Sequence, residues 1–94
     1  MKKKNPYVVV RTYSAGVHVG ELVSRKAKEV VLSNARRIWS WTGAFTLSEI
    51  SQSGISGGKL SIAVPQITLT EAIEIIPTSA AAEKTLRAMK EYRP

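Results

Sequence analysis

With 94 residues, 44% of them hydrophobic, the chain has material for one hydrophobic core and too little for two, which predicts a single folded domain. The absence of cysteine excludes disulfides, thiolate metal sites and a cysteine nucleophile, and no run approaches the roughly 20 apolar residues that cross a bilayer. The formal net charge of +7 favours an anionic partner, although it also serves solubility.

The chain begins with a basic tail. Residues 1–6 carry Lys2, Lys3 and Lys4, and we expect a flexible tail there, ahead of one α+β domain over residues 7–94. This start resembles a signal peptide, but Asn5, Pro6 and a short valine run broken by Arg11 follow it, without an adequate apolar region. We therefore expect a cytoplasmic protein that does not interact with membranes.

Three strands are predicted next. Tyr7 to Tyr13 is rich in β-branched and aromatic residues, Val17 to Val23 alternates, and Glu29 to Trp41 is apolar at both ends. Turn residues around Gly16 join the first two, and the solvated stretch Arg25 to Lys28 joins the second to the third. This pattern is typical of an antiparallel meander.

The second half of the chain predicts two helices and a further strand. Thr46 and Glu49 match a capping box, which indicates a short helix over about Leu47 to Gln52, closed by Gly54 and followed by a flexible loop at 56–58. Residues 67–76 fit either a strand or a helix, and we favour one strand because Pro77 ends it. A final helix, capped by Thr78, is expected over about Ser79 to Tyr92.

The predicted fold class is therefore α+β: an antiparallel sheet of four to five strands, a short helix after the third strand and a C-terminal helix. Catalysis is not expected, because His18 is the only histidine, aspartate is absent and no metal-ligand spacing occurs. The run Ser56 to Lys59 has neither Walker spacing nor a following helix. We predict no enzyme activity, no metal and no cofactor.

The run from Arg36 to Trp41 is the strongest binding signal. In an extended chain Arg37, Trp39 and Trp41 would share one face, where indoles stack on bases and guanidinium groups hold phosphate. Alternatively, both tryptophans belong to the core and Arg37 covers an indole. The helix start at Thr46 offers backbone N–H groups to an anion close by.

Basic residues outside this run support a nucleic-acid alternative. Residues 1–37 hold nine basic and two acidic side chains, whereas residues 38–94 are balanced. Phosphate contacts would then come from six side chains: Lys2, Lys3, Lys4, Arg25, Lys26 and Lys28. No helix-turn-helix, zinc-finger or RNA-recognition signature accompanies them.

Three segments resemble small uncharacterised bacteriophage and prophage proteins. They are Asn5 to Gly20, Ala35 to Glu49 with its Arg-Arg-Ile-Trp-Ser-Trp-Thr-Gly-Ala run, and Leu69 to Pro77. The resemblance implies a phage accessory protein that works in the host cell cytoplasm, and it implies no biochemical activity. Among small phage proteins in general, some antagonists of host defence are oligomers that trap nucleotide immune signals.

The leading hypothesis is a non-enzymatic binder of a small phosphate-bearing nucleotide, with a pocket formed partly between the subunits of a homo-oligomer. The predicted ligand-binding residues are Arg11, Arg36, Arg37, Trp39, Trp41 and Thr46. Nucleic-acid binding is one alternative. A structural or protein-interaction role in the phage, with the tryptophans in a protein interface, is the other.

Overall fold

Six strands and two short helices build the fold. The computed structural model describes residues 5–92, and the predicted tail residues Lys2, Lys3 and Lys4 lie outside that range. The elements are β1 (Tyr7–Thr12), β2 (Val17–Lys26), β3 (Glu29–Thr42), α1 (Leu47–Ser53), β4 (Gly57–Leu60), β5 (Val64–Leu69), β6 (Ala72–Pro77) and α2 (Ala80–Ala88). The α+β class with an antiparallel sheet is confirmed, and the strand number of four to five is wrong. Neither helix in this part of the chain is long and apolar enough to span a membrane.

The sheet is held together by β3, which has 14 residues and therefore carries two partners along one edge. The strand order is β4-β3-β2-β1-β6, and β5 pairs with the first half of β3 while β4 pairs with the second half. The pairing of β2 with β3 shifts register twice, between Val19 and Glu21 and between Leu22 and Ser24, and such bulges bend a hairpin. Its tip reaches β6, where the Ala72 N–H donates to the Lys28 carbonyl at 3.0 Å. The sheet is consequently curled into a half-barrel.

Both faces of this sheet are buried near its centre. Val8 and Val10 of β1 point to the inner face of the half-barrel, where they pack with Leu32 and other residues of one apolar cluster. Tyr7 and Val9 point to the opposite, helix-covered face, where a second cluster forms under α1 and α2. A strand buried on both sides needs apolar residues at successive positions, which explains the continuous run from Tyr7 to Val10.

The segment 67–76 contains a corner rather than one strand. β5 ends at Leu69 and pairs with β3, and β6 begins at Ala72 and pairs with β1 on the other side of the half-barrel. The prediction of a single strand is therefore wrong, but the preference for extended structure over a helix is confirmed on each side of the corner. Residues 57 and 58, expected in a flexible loop, belong to β4 because the free edge of β3 pairs with them.

The first helix is as predicted, and the second is shorter. The Glu49 N–H donates to Thr46 Oγ1 at 3.1 Å, and Gly54 follows the last turn of α1 with a φ of 77°. Ser79, not Thr78, caps α2, since its hydroxyl accepts from the Ala82 N–H at 3.1 Å. The Thr78 hydroxyl instead donates to a β1 carbonyl. α2 ends at Ala88, and the segment after it lies along β4.

Candidate ligand-binding site

A bulge in β3 separates the two tryptophans. The pairing of β3 with β4 shifts register between Ile38 and Ser40, which bends the strand at Trp39. The Trp39 side chain is 59% exposed. Trp41 packs against the helix-covered cluster, and its indole N–H donates to the Ala44 carbonyl at 3.1 Å. The prediction that Trp39 and Trp41 share one face is wrong, because the bulge changes the alternation between them.

Trp39 lines a pocket of about 220 Å³ that opens on the inner face of the half-barrel. Arg37 lies two residues before Trp39 on the same strand and also lines this pocket. Its Nε donates to Nε2 of His18 at 3.2 Å, and its backbone N–H donates to Ser61 Oγ at 2.8 Å. The remaining lining side chains are Ala35, Val64 and Ile67. We call this the inner pocket.

Trp39 also lines a second space, a groove of about 440 Å³ that it shares with Ser40, Lys59 and Tyr92. Tyr92 reaches this place because the chain after α2 runs beside β4, where the Tyr92 N–H donates to the Leu60 carbonyl at 2.8 Å. The Lys59 ammonium lies 4.9 Å from the centre of the Tyr92 ring, a cation–π contact. We call this the outer groove. Trp39 therefore lines two open spaces, one shared with an arginine and the other with a lysine.

His18 forms the floor of the inner pocket and is neutral. Its side chain is 1% exposed, and burial together with the positive charge of Arg37 lowers its pKa to about 4. Because Nε2 accepts a hydrogen bond from Arg37, the single proton of the neutral ring belongs on Nδ1. Within residues 5–92, Nδ1 has no hydrogen-bond partner.

Arg36 has a structural position that the sequence did not indicate. The residue is only 8% exposed. Its Nε donates to the Ser61 carbonyl at 2.9 Å, and its Nη1 donates to the Leu86 carbonyl in the last turn of α2 at 3.0 Å. A cation at the C-terminal end of a helix satisfies carbonyls that have no partner within the helix, and it is attracted by the negative end of the helix dipole. The predicted phosphate contact of Arg36 is wrong, because its alternation along β3 points it to the helix-covered face.

The helix start at Thr46 is already occupied. The Glu49 carboxylate accepts from the Phe45 N–H at 2.8 Å, and the Thr46 hydroxyl accepts from the Glu49 N–H. A carboxylate at this point repels a second anion and so disfavours the anion contact at Thr46, which stays a prediction. Arg11 is also separate from Trp39: it lies on β1, is exposed and pairs with Glu74 at 3.8 Å.

A second basic region lies at the tip of the β2–β3 hairpin. The exposed side chains of Arg25, Lys26 and Lys28 project there. A broad groove of about 700 Å³ beside them is also lined by Tyr13 and Ile73, both of which are exposed. Trp39 lies near the opposite end of β3, so the two basic regions are separate.

Of the predicted ligand-binding residues, only Arg37 and Trp39 meet around open space. Sequence reasoning missed Lys59, Tyr92 and His18 as their neighbours. Lys59 directly follows the predicted loop at 56–58, and Tyr92 is the last residue of the predicted C-terminal helix. The one signal that pointed to His18 was its uniqueness in the chain.

A family model described as a domain of unknown function, DUF6948, matches residues 5–86. The match includes Trp39, Arg37 and Lys59 and ends before Tyr92. No curated protein and no solved structure matches the chain.

Proposed function

The chain belongs to the DUF6948 family of domains of unknown function, and we propose that it binds a phosphate-bearing nucleotide. The base stacks on Trp39, and Arg37 and Lys59 supply the positive charge for phosphate. The binding is not catalytic.

The exposure of Trp39 carries this proposal. The indole is 59% exposed, whereas the neighbouring Trp41 packs against the helix-covered cluster. A flat aromatic surface that solvent can reach provides a stacking platform, and stacking contributes about 1–3 kcal/mol per base. An isolated exposed aromatic is common, but this one lines two cavities.

A basic side chain in each of the two spaces that Trp39 lines supports a ligand that has a base and a phosphate. Arg37 lies toward the inner pocket and Lys59 toward the outer groove, and both are exposed. The outer groove, at about 440 Å³, is within the size range of small-molecule sites, and it offers Tyr92 as a second aromatic surface. A base on Trp39 would thus place its sugar and phosphate over a basic side chain.

Titration calorimetry with a panel of linear and cyclic mononucleotides tests the proposal. We expect Trp39→Ala to weaken binding by about 5- to 150-fold, the loss of one stacked base. Phe45→Ala is the matched control, because Phe45 is 91% exposed and outside both pockets, and it should bind as the original protein does. No heat with any nucleotide at about 100 µM protein, or an equal loss in both variants, would contradict the proposal.

The basic hairpin tip favours nucleic acid as a second candidate. Lys28 and Trp39 are eleven residues apart in the sequence, a distance of up to about 36 Å along an extended strand and less where it bends. One nucleotide cannot bridge the two regions, but a single strand of several nucleotides can. If the ligand is a strand, Arg25→Ala with Lys28→Ala weakens binding of an oligonucleotide and reduces its salt dependence. If the ligand is a mononucleotide, this double variant has no effect.

The resemblance to phage proteins suggests a setting for this binding, in which the protein sequesters a nucleotide signal of the host. Sequestration requires that the nucleotide be released unchanged. After incubation with excess protein and denaturation, chromatography should recover the nucleotide intact. A hydrolysed product would refute sequestration and indicate an enzyme.

A further inference from the structure

The broad groove beside the hairpin tip lies outside the proposed nucleotide site. A smaller groove of about 340 Å³ adjoins it, since four residues line both: Arg25, Ala27, Ala72 and Ile73. The hairpin tip is tied to the corner before β6, because the Ala72 N–H donates to the Lys28 carbonyl at 3.0 Å. The end of β1 is tied to the same corner, where the Tyr13 N–H donates to the Glu71 carbonyl at 3.0 Å. The walls of this combined space, which we call the tip groove, are thus part of the folded structure.

Apolar side chains are exposed in the tip groove. Tyr13 is 78% exposed and Ile73 is 54% exposed, and both line the larger part. Leu22 and Ile75 add half-buried apolar surface in the smaller part. Exposed apolar groups that are gathered in a concave surface with a polar rim are typical of interaction sites. The tip groove can therefore cover an apolar side chain of a partner.

The rim of the tip groove carries positive charge that the rest of the described chain does not neutralise. Arg25, Lys26 and Lys28 are exposed, and none of them forms an ion pair within residues 5–92. The lining also includes one carboxylate, that of Glu71, which accepts from the Ser14 hydroxyl at 2.9 Å. Separate carboxylates of a partner can pair with the rim, whereas a continuous polyanion would also meet Glu71.

We infer that the tip groove binds a segment of a partner protein in which acidic residues flank an apolar side chain. The apolar side chain packs on Ile73 and Tyr13, and the carboxylates lie beside Arg25 and Lys28. Nucleic acid fits this surface less well, because aliphatic side chains outnumber the single ring that a base could stack on. A second copy of the chain, with its net charge of +7, does not provide the complementary charge.

Fluorescence anisotropy with labelled short peptides tests the inference on the full chain. The probe is a peptide that alternates glutamate with leucine, and two matched peptides replace either every leucine by serine or every glutamate by lysine. We expect the glutamate–leucine peptide to bind in a saturable way and at least about 10-fold more tightly than either matched peptide. Absence of saturable binding at about 1 mM protein, or equal binding of the glutamate–serine peptide, would overturn the inference.

Matched variants locate the peptide. Ile73→Thr keeps a β-branched residue on β6 and removes the apolar contact, and it should weaken binding about 5- to 30-fold. Ile62→Thr is the control, because Ile62 is 49% exposed and outside the tip groove, and it should leave binding unchanged. An equal effect of the two substitutions would overturn the location.

A second pair of variants separates local charge from net charge. Arg25→Gln with Lys28→Gln should weaken binding and reduce its salt dependence. Lys84→Gln with Lys90→Gln removes the same charge from exposed positions outside the tip groove and should have little effect. If both pairs weaken the peptide equally, net charge alone attracts it and the inference is wrong.

Competition distinguishes this surface from the nucleotide site and from a nucleic-acid surface. A saturating mononucleotide should leave the peptide bound, because Trp39 lies near the opposite end of β3. Displacement of the peptide by a mononucleotide, or by oligothymidylate at a lower concentration than by unlabelled peptide, would overturn the inference. Failure of every nucleotide to bind would refute the proposed function and leave this inference intact.

Discussion

Acidification should destabilise the protein well above the pH at which its carboxylates titrate, and His18 is the reason. The side chain is buried on the inner face, and its pKa falls from 6.5 to about 4 because of burial and of the neighbouring Arg37 charge. Between these two values the unfolded chain binds a proton at this histidine and the folded protein does not. The free energy of unfolding therefore decreases as the pH falls from 6.5 toward 4.

The size of this loss follows from the two pKa values. At pH 7.5 the histidine is neutral in both states and contributes nothing to the pH dependence. At pH 4.5 the unfolded state is almost fully protonated while most folded molecules are still neutral, which costs the folded protein about 2–3 kcal/mol. This is a large part of the stability of a domain of this size.

Urea unfolding at pH 7.5 and at pH 4.5, followed by circular dichroism, measures the loss. His18→Gln has no titrating group at this position and serves as the control. Arg87 lowers the pKa of Glu21, so the stability that Glu21 contributes is lost at lower pH in both proteins. The difference between the two proteins in their loss of free energy of unfolding therefore isolates the histidine. Equal free energies of unfolding for the original protein at the two pH values, or the same loss in the variant, would refute the assignment of His18 as a buried neutral group.

Two further predictions concern stability. Arg36→Met should lower the free energy of unfolding by about 2–4 kcal/mol, because it leaves two carbonyls without their charged donor. Arg25→Met on the exposed hairpin is the control and should change the free energy of unfolding by less than about 0.5 kcal/mol. Urea titrations measure both values. Gly54→Ala should cost more than Gly16→Ala in a thermal unfolding comparison. Both glycines have positive φ, but a Cβ at Gly54 would overlap the Thr85 hydroxyl, whereas a Cβ at Gly16 meets nothing within 4 Å. An equal loss of stability in the two variants would contradict the steric explanation.

The first half of the fold could be predicted because its signals are local. The strands of the meander are marked by β-branched runs, and the turns between them by Gly16 and by the polar stretch 25–28. The capping box of Thr46 and Glu49 depends on residues three apart, and α1 begins where it predicts. The edge strands could not be predicted in this way, since β4 and β5 are stabilised by pairing with β3, which precedes them in the chain.

The site was only half predictable for a related reason. Alternation places Arg37 and Trp39 on one face, but a single bulge at Trp39 turns Trp41 toward the helix-covered core. No residue type in this stretch of the sequence indicates that bulge. The placement of Lys59 and Tyr92 beside Trp39 depends on a contact between the C-terminal segment and β4. Such a contact leaves no periodic signal in the sequence.

The two indole N–H resonances offer the most direct measurement of nucleotide binding at Trp39. In a ¹⁵N–¹H spectrum, assigned with Trp39→Phe, the indole of Trp41 is held by its hydrogen bond to Ala44 and serves as an internal reference. Titration with a mononucleotide should shift the Trp39 indole resonance in a saturable way and leave that of Trp41 nearly unchanged. If neither resonance moves at millimolar nucleotide, or if Trp41 responds and Trp39 does not, the base does not stack on Trp39 and the account is wrong.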